Sequence, residues 1–267
     1  MTSQAIDLKA LRARCIAVMD RHECIAFGLS GGKDSLAVLY LLQDQAHRFT
    51  AYHMDTGDLL PEVVEAVEQA KALCPNFVHI RGDVLAWHRA NGLPSDLVRD
   101  QRGAAVAPSS GLRMVPRYDC CVANLMRPIW QRMVADGNTL VIRGTKAVDL
   151  PRLPVVSGQI VDGVEFLLPL QDWSHAEVFA YLRAEGVPIS RVYEHMTNAP
   201  ECARCPAWLG ENRAAYLRQY HPALAADYRA RLHAVWREID PALQAAAAVM
   251  ARLEATPTPA TVEGPTP

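Results

Sequence analysis

A doubly wound, mainly parallel α/β sheet with a helical C-terminal region is the fold class this sequence predicts, on three observations. The apolar run Cys24–Leu29, short enough for a buried strand, is broken by Ser30-Gly31-Gly32 and resumes with helical character from Ser35 to Leu42. The same order recurs at once: Phe49–Met54 as strand, Asp55-Thr56-Gly57 as turn, then a helix opening at Pro61, where proline suits the first helical turn. Phe77–Ile80 supplies a third strand, and βαβαβ alternation implies parallel strands with helices on both faces. Ligands of such sheets bind beyond the carboxyl ends of the strands, where both glycine turns lie.

Taken in order, Leu8–Met19 has the periodicity of an amphipathic helix leading into the first strand. The stretch from Asn91 to Tyr118, rich in Gly, Pro, Ser and Arg, is too long for a simple connection and reads as a functional or mobile loop. A helix over Cys120–Val134 and a buried strand over Thr139–Ile142 follow. Val155–Phe166 reads as a hairpin with Asp162-Gly163 at its turn. Ser174 and Glu177 have capping-box spacing and open a helix running to about Glu185. Helices over Glu211–Tyr220 and Pro222–Leu253 come last, and the Pro- and Thr-rich TPTPATVEGPTP lacks apolar periodicity and reads as a disordered tail. The expected organisation is an α/β domain over residues 1–200, a CxxC segment with C-terminal helices over 201–253, and a tail over 254–267.

Composition narrows the function. Of 267 residues, 50% are hydrophobic and 21% charged, and 27 Lys plus Arg face 29 Asp plus Glu. The resulting net charge of −2 gives no support to nucleic-acid or membrane binding through bulk charge. No apolar run of about 18 residues occurs, and MTSQAIDLKALRARC carries Asp and Lys where a signal peptide needs its apolar region, so a soluble cytoplasmic protein is expected. A reducing compartment keeps thiols free, so the seven cysteines point to metal or chemistry before disulfides.

The turn Ser30-Gly31-Gly32-Lys33-Asp34-Ser35 combines glycines that let backbone N–H groups approach an anion, small hydroxyls, a lysine and a helix start. These are the ingredients of a phosphate cradle; the plain alternative is a strand-to-helix turn with a solvated Lys-Asp pair. It is not a Walker A loop, which requires Gly where Phe27 stands and Ser or Thr where Asp34 stands.

Leu29-Ser30-Gly31-Gly32-Lys33-Asp34-Ser35 resembles the PP-loop of the ATP pyrophosphatases, which cleave ATP between the α and β phosphates. His53–Gly57 with Pro61-Glu62, and Pro169–Ser174, resemble segments of the phosphoadenosine phosphosulfate (PAPS) reductase branch of that superfamily. The resemblance spans Cys24 to Cys205 and implies an adenine nucleotide alpha-hydrolase-like sheet. It also implies that Ser30, Gly31, Gly32, Lys33, Asp34 and Ser35 bind phosphate and that Asp55, Thr56 and Gly57 sit near the nucleotide. Asp55 is then a candidate for magnesium or ribose, with helix capping as the equal alternative. Gly144-Thr145-Lys146-Ala147-Val148-Asp149-Leu150-Pro151-Arg152 has the spacing of the family's G-x-R-x-x-E-S-x-R segment, with Lys146 where the family has Arg. Lysine offers a point charge in place of a planar fork. Gly144, Lys146 and Arg152 join the candidate nucleotide ligands; either Arg143 or Arg152 compensates for the missing fork, or both are solvated loop charges.

Cys120-Cys121 and Cys202-Ala203-Arg204-Cys205 form a second constellation, while Cys15, Cys24 and Cys74 sit in apolar settings and read as buried small side chains. Four thiolates suit zinc or an iron–sulfur cluster, and adjacent ligands are awkward around one small tetrahedral ion. The pattern CC…CxxC resembles the 4Fe-4S site of adenylyl-sulfate (APS) reductases, which puts the cluster ahead of Zn2+ and of unligated thiols.

Sulfonucleotide reductases of this kind attack the substrate sulfur with a cysteine from a C-terminal tail, and no cysteine follows Cys205 here. Their PP-loop also tends to be degenerate, whereas this one is intact. The expectation is therefore an ATP pyrophosphatase that adenylates an acceptor in sulfur metabolism or sulfur transfer. Lys33 would neutralise the departing pyrophosphate, and Mg2+ would bridge the phosphates with Asp34 or Asp55 as ligands. The runner-up is an APS or PAPS reductase using an external thiol, and the third reading a non-catalytic nucleotide-binding iron–sulfur subunit. Implied partners are an adenine nucleotide and a sulfur donor or acceptor protein. Homodimers and heteromers are common in similar proteins, and no membrane is expected. Arg99, Arg102, Arg113 and Arg117 are read as solvated loop charges ahead of a nucleic-acid contact. Trp173, Trp208 and Trp236 read as packing residues, and His175 and His195 are assigned no role.

Overall fold

The computed structural model describes residues 6–97, 112–149, 154–210 and 212–254. The expected alternation is realised as β1 (Ile25–Gly28), α2 (Lys33–Leu41), β2 (Thr50–Asp55), α3 (Pro61–Lys71) and β3 (Phe77–Arg81), preceded by α1 (Leu8–Met19). α4 (Val84–Asn91) follows. α5 (Arg117–Cys121) and α6 (Arg127–Ala135) flank a π-helical turn over Val122–Met126. Beyond it lie β6 (Leu140–Ile142), the hairpin β7 (Ile160–Val161) and β8 (Val164–Leu167), α7 (His175–Ala184), α8 (Arg213–Tyr220) and α9 (Pro222–Glu254).

Among the described residues the main sheet has the order β3-β2-β1-β6-β8-β7, parallel throughout except for the antiparallel β7–β8 pair. From β1 the chain first winds outward to β2 and β3, then returns to the other side of β1 with β6. The carboxyl ends of β1 and β6 therefore flank a switch point, where the connections diverge and leave a crevice. The core explains the parallel arrangement: Ile25, Ala26, Phe27, Leu140, Val141 and Ile142 are all buried, as strands covered on both faces must be.

Local signals fall where the sequence puts them. Pro61 opens α3. Ser174 caps α7 with Glu177 in a reciprocal capping box, and Asp162 and Gly163 turn the β7–β8 hairpin with positive φ. Three readings need correction. The stretch from Asn91 to Tyr118, read as a functional or mobile loop, holds strands at its described ends: β4 (Leu93–Ser95) and β5 (Met114–Pro116) pair in parallel as a small second sheet. Cys120-Cys121 do not start the expected helix: the helical run opens three residues earlier at Arg117 and passes through the π turn over Val122–Met126 into α6. Cys24 and Trp236 are exposed, one just before β1 and the other on α9, whereas Cys15, Cys74 and Trp173 are buried as expected. The tail after Glu254 lies outside the described residues, as do Arg99, Arg102 and Arg152. No described helix is long and apolar enough to cross a membrane.

Candidate active site

The glycine turn joins the end of β1 to α2 with little freedom to relax. Gly31 has φ of +80°, and a Cβ there would lie 2.6 Å from Val67 Cγ2 and 3.0 Å from the Val63 carbonyl oxygen, so only glycine lets the turn pack on α3. Gly144, beyond β6, approaches the turn from the other side. A Cβ on it would come within 2.7 Å of the Asp34 backbone. The two strand ends are thus held backbone to backbone across the switch point.

A cavity of 440 Å³ opens there, lined from β1 by Gly28, Leu29 and Ser30, from α2 by Asp34 and Ser35, and from beyond β6 by Arg143, Gly144, Thr145 and Asp149. Two lysines lie behind this wall, and both are spent within the protein. Lys33 is buried, with Nζ donating to Asp34 Oδ2 (3.0 Å) and Asn198 Oδ1 (2.8 Å) and sitting over the Tyr193 ring. Burial pushes its ammonium below the ordinary value, against the opposing pull of Asp34. Lys146 is completely buried between carboxylates, 2.6 Å from Asp34 Oδ1 and 2.8 Å from Asp149 Oδ2. His175, assigned no role from sequence, stands 3.6 Å from Asp149 Oδ1, and its pKa is lowered by burial and by Lys33 and Lys146.

The turn's own donors are partly engaged as well. The Lys33 amide donates to the Tyr193 hydroxyl at 2.7 Å, the Gly32 amide to Ser30 Oγ, and Ser35 Oγ to the Gly32 carbonyl. The positively charged residue in the cavity wall is Arg143, whose pKa burial lowers and whose guanidinium packs over Phe166. Asp55 accepts from the Gly57 amide at 2.8 Å within its own turn and does not line the cavity; it does not cap the next helix, whose N-cap is Leu60 without a side-chain bond. Gly57 packs against the Gly82 carbonyl, and Thr56 is buried, donating to the Glu201 carbonyl at 3.2 Å.

That last bond ties the Asp-Thr-Gly turn to the CxxC segment, and further contacts fix the segment's path. Cys202 Sγ donates to Thr56 Oγ1, Arg204 pairs with Asp58, and the buried Arg213 donates to the carbonyls of Cys202 (2.7 Å), Ala203 (2.6 Å) and Cys205 (3.2 Å). Cys120, Cys121, Cys202 and Cys205 consequently line one small cavity of 30 Å³, with Thr56, His88 and Asn124. Leu125 and Glu201 belong to the walls of both cavities, so the four-cysteine chamber and the sheet-edge crevice are neighbours.

Burial raises the thiol pKa of Cys120 to about 12, aided by the neighbouring Cys121 and Cys205, and raises those of Cys121 and Cys202 too. Glu201 lines both cavities, and desolvation by the surrounding protein lifts its carboxyl to about 7. Among the described residues no three His, Cys, Asp or Glu side chains converge closely enough to hold one metal ion. The tight tetrahedral arrangement a single Zn2+ requires is therefore not formed by these cysteines. An all-sulfur set spread around one chamber retains the donor chemistry of a larger cluster.

Sequence reasoning missed Tyr193, Asn198, His88, Arg213 and Glu201. Each reaches the site from an element distant in the chain, and none carries a spacing signal that would have singled it out.

No family model matches the chain. It is 23% identical over 185 residues to an adenosine 5′-phosphosulfate reductase of Allochromatium vinosum, covering 68% of each chain. Against the enzyme of the same name from Neisseria meningitidis it is 22% identical over 222 residues, covering 79% of this chain and 84% of the relative. The crystal structure of a phosphoadenylyl-sulfate (PAPS) reductase from Candida auris in complex with phosphate superposes with a TM-score of 0.47 at 14% identity, covering 73% of this chain and 93% of that one.

Proposed function

We propose, from the premise that the chain belongs to the PAPS reductase family, that it is an enzyme acting on an adenine sulfonucleotide and using an external thiol as reductant. This reverses the preference drawn from the intact loop and from the lack of a cysteine after Cys205, where ATP pyrophosphatase chemistry ranked first. One observation carries the reversal. The Lys33 amide is spent on Tyr193 and the Lys33 ammonium on Asp34 and Asn198, so the loop offers little to a departing pyrophosphate. A sulfonucleotide such as APS has no β,γ-diphosphate and does not need those donors. The relatives named adenosine 5′-phosphosulfate reductase support the same choice.

In this reading the nucleotide lies in the crevice at the ends of β1 and β6, with Ser30 and the Gly31 turn on one side and Arg143 on the other. Arg143 supplies the positive charge that orients the sulfonate or phosphate. A thiolate from a small molecule or partner protein attacks the sulfonate sulfur, and the sulfur–oxygen bond to the phosphate breaks with its electron pair leaving on AMP. A second thiol then attacks the resulting thiosulfonate, releasing sulfite and a disulfide, so two thiols are oxidised for each sulfur reduced. The chain's own part is binding, orientation and exclusion of water. Cys120, Cys121, Cys202 and Cys205 would hold a 4Fe-4S cluster, which when bound supplies a fixed electrostatic field beside the crevice.

The discriminating experiment incubates anaerobically purified protein with APS, PAPS or ATP, each with dithiothreitol, glutathione or thioredoxin. Sulfite and AMP from APS, or sulfite and adenosine 3′,5′-bisphosphate from PAPS, is the expected result. Pyrophosphate release from ATP with no sulfite from either sulfonucleotide would return the assignment to the ATP pyrophosphatase reading, which the intact Ser30–Ser35 motif favours.

A further inference from the structure

We propose that His88 is a positioning residue for the four-cysteine chamber: Arg231 of the C-terminal helix fixes its ring as the Nε2–H tautomer, and that hydrogen is donated to Cys120 Sγ. This deepens the iron–sulfur part of the reading above and rests on it.

Three separate elements meet here: α4 carries His88, α5 carries Cys120, and α9 carries Arg231. His88 Nδ1 lies 2.9 Å from Arg231 Nη1, and His88 Nε2 lies 3.3 Å from Cys120 Sγ. A guanidinium has donors and no acceptor, so at 2.9 Å the imidazole nitrogen facing it must be the acceptor. A proton on Nδ1 would set two donors against each other, and a doubly protonated ring would add a second positive charge beside Arg231. The remaining tautomer carries its hydrogen on Nε2, which faces the sulfur.

Both partners of this contact are buried. His88 is 5% exposed and Cys120 6%. Asn124 Nδ2, held at 2.9 Å by the Cys120 carbonyl, also points at Sγ from 3.7 Å. Two N–H groups thus converge on one buried sulfur, which suits a sulfur carrying negative charge as an iron ligand. Outer partners of this type orient a ligand and stabilise its charge. Because Arg231 selects the tautomer, the docking of α9 is coupled to the sulfur environment some elements away in sequence. Nothing in the spacing of His88, Cys120 and Arg231 along the chain announces this.

The test uses the full chain, purified anaerobically. In 15N-histidine-labelled protein, long-range 1H–15N correlation should show the proton of His88 on Nε2, and Arg231→Met should give a mixture of tautomers. Iron and sulfide are assayed, and iron release to bathophenanthroline is timed. His88→Leu should release iron roughly tenfold faster, while His88→Gln, which retains a donor near the Nε2 position, should stay within about twofold of the parent. A proton found on Nδ1, or His88→Leu releasing iron at the parent rate, overturns the proposal. Absence of iron and sulfide from the parent protein would sink the cluster reading separately, and the nitrogen spectrum then decides the His88 assignment alone.

Discussion

The Tyr193 hydroxyl accepts a hydrogen bond from the backbone amide of Lys33 at 2.7 Å, across 160 positions of sequence. A residue of the short 3-10 helix Arg191–Glu194 thereby occupies a donor that the glycine turn would otherwise present to an anion. Tyr193→Phe removes that acceptor and should free the amide. Inorganic pyrophosphate should then bind several-fold more tightly by calorimetry, in line with about 1 kcal/mol for one hydrogen bond. Unchanged affinity would mean that Tyr193 does not compete for the turn.

Lys146 neutralises Asp34 and Asp149 from a fully buried position. Substituting it with Met keeps the volume but leaves two partly buried carboxylates without their shared cation. Breaking such an arrangement costs about 3–5 kcal/mol, so Lys146→Met should lower the urea midpoint sharply. A midpoint unchanged within error would show that solvent already neutralises the pair.

Gly144→Ala tests the backbone approach at the switch point. The added methyl meets the Asp34 carbonyl carbon and oxygen at 2.7 Å and the Ser35 nitrogen at 2.9 Å, all backbone atoms that cannot rotate away. Overpacking of this kind costs about 1–3 kcal/mol. Because it separates the two strand ends, the variant should also bind APS at least tenfold more weakly. Full binding at reduced stability would place the nucleotide elsewhere.

Glu62 controls acid stability. Burial opposes its ionisation, but the neighbouring Tyr216, Arg191 (2.7 Å) and His221 (2.9 Å) outweigh it and hold the carboxyl at about 2, below its ordinary 4.5. Since the folded value is the lower one, this group's stabilisation is complete above pH 4.5 and is lost as pH falls towards 2. The contribution is about 3 kcal/mol at most. Glu62→Gln should be less stable at pH 6 and should show a flatter loss of stability between pH 4.5 and 2, measured by urea unfolding across that range. Parallel pH profiles for the two proteins would exclude this role.

Much of the architecture can be read from the chain because its signals are local. The apolar run before Ser30, the proline at position 61, the Ser174–Glu177 box and the Asp162-Gly163 turn each act within a few residues, and each element stands as expected. Readings failed where a distant segment decided the outcome. β4 has only three residues and exists because β5 pairs with it across a long insertion. The π turn after Cys121 and the exposure of Trp236 likewise depend on packing that periodicity does not encode.

The same division holds for the site. Residue types and spacing single out Ser30–Ser35 and the four cysteines, because a tight turn or a CxxC pair is chemistry written in consecutive letters, while Gly144–Asp149 is picked out only by the family resemblance. Folding alone decides what those groups face: whether Lys33 meets a ligand or Asn198, whether Asp55 meets a cation or the Gly57 amide, and which nitrogen of His88 carries its hydrogen. Charge and hydrogen-bond capacity are properties of a residue, whereas the partner that consumes them arrives from another part of the chain and becomes visible only when the chain is closed on itself.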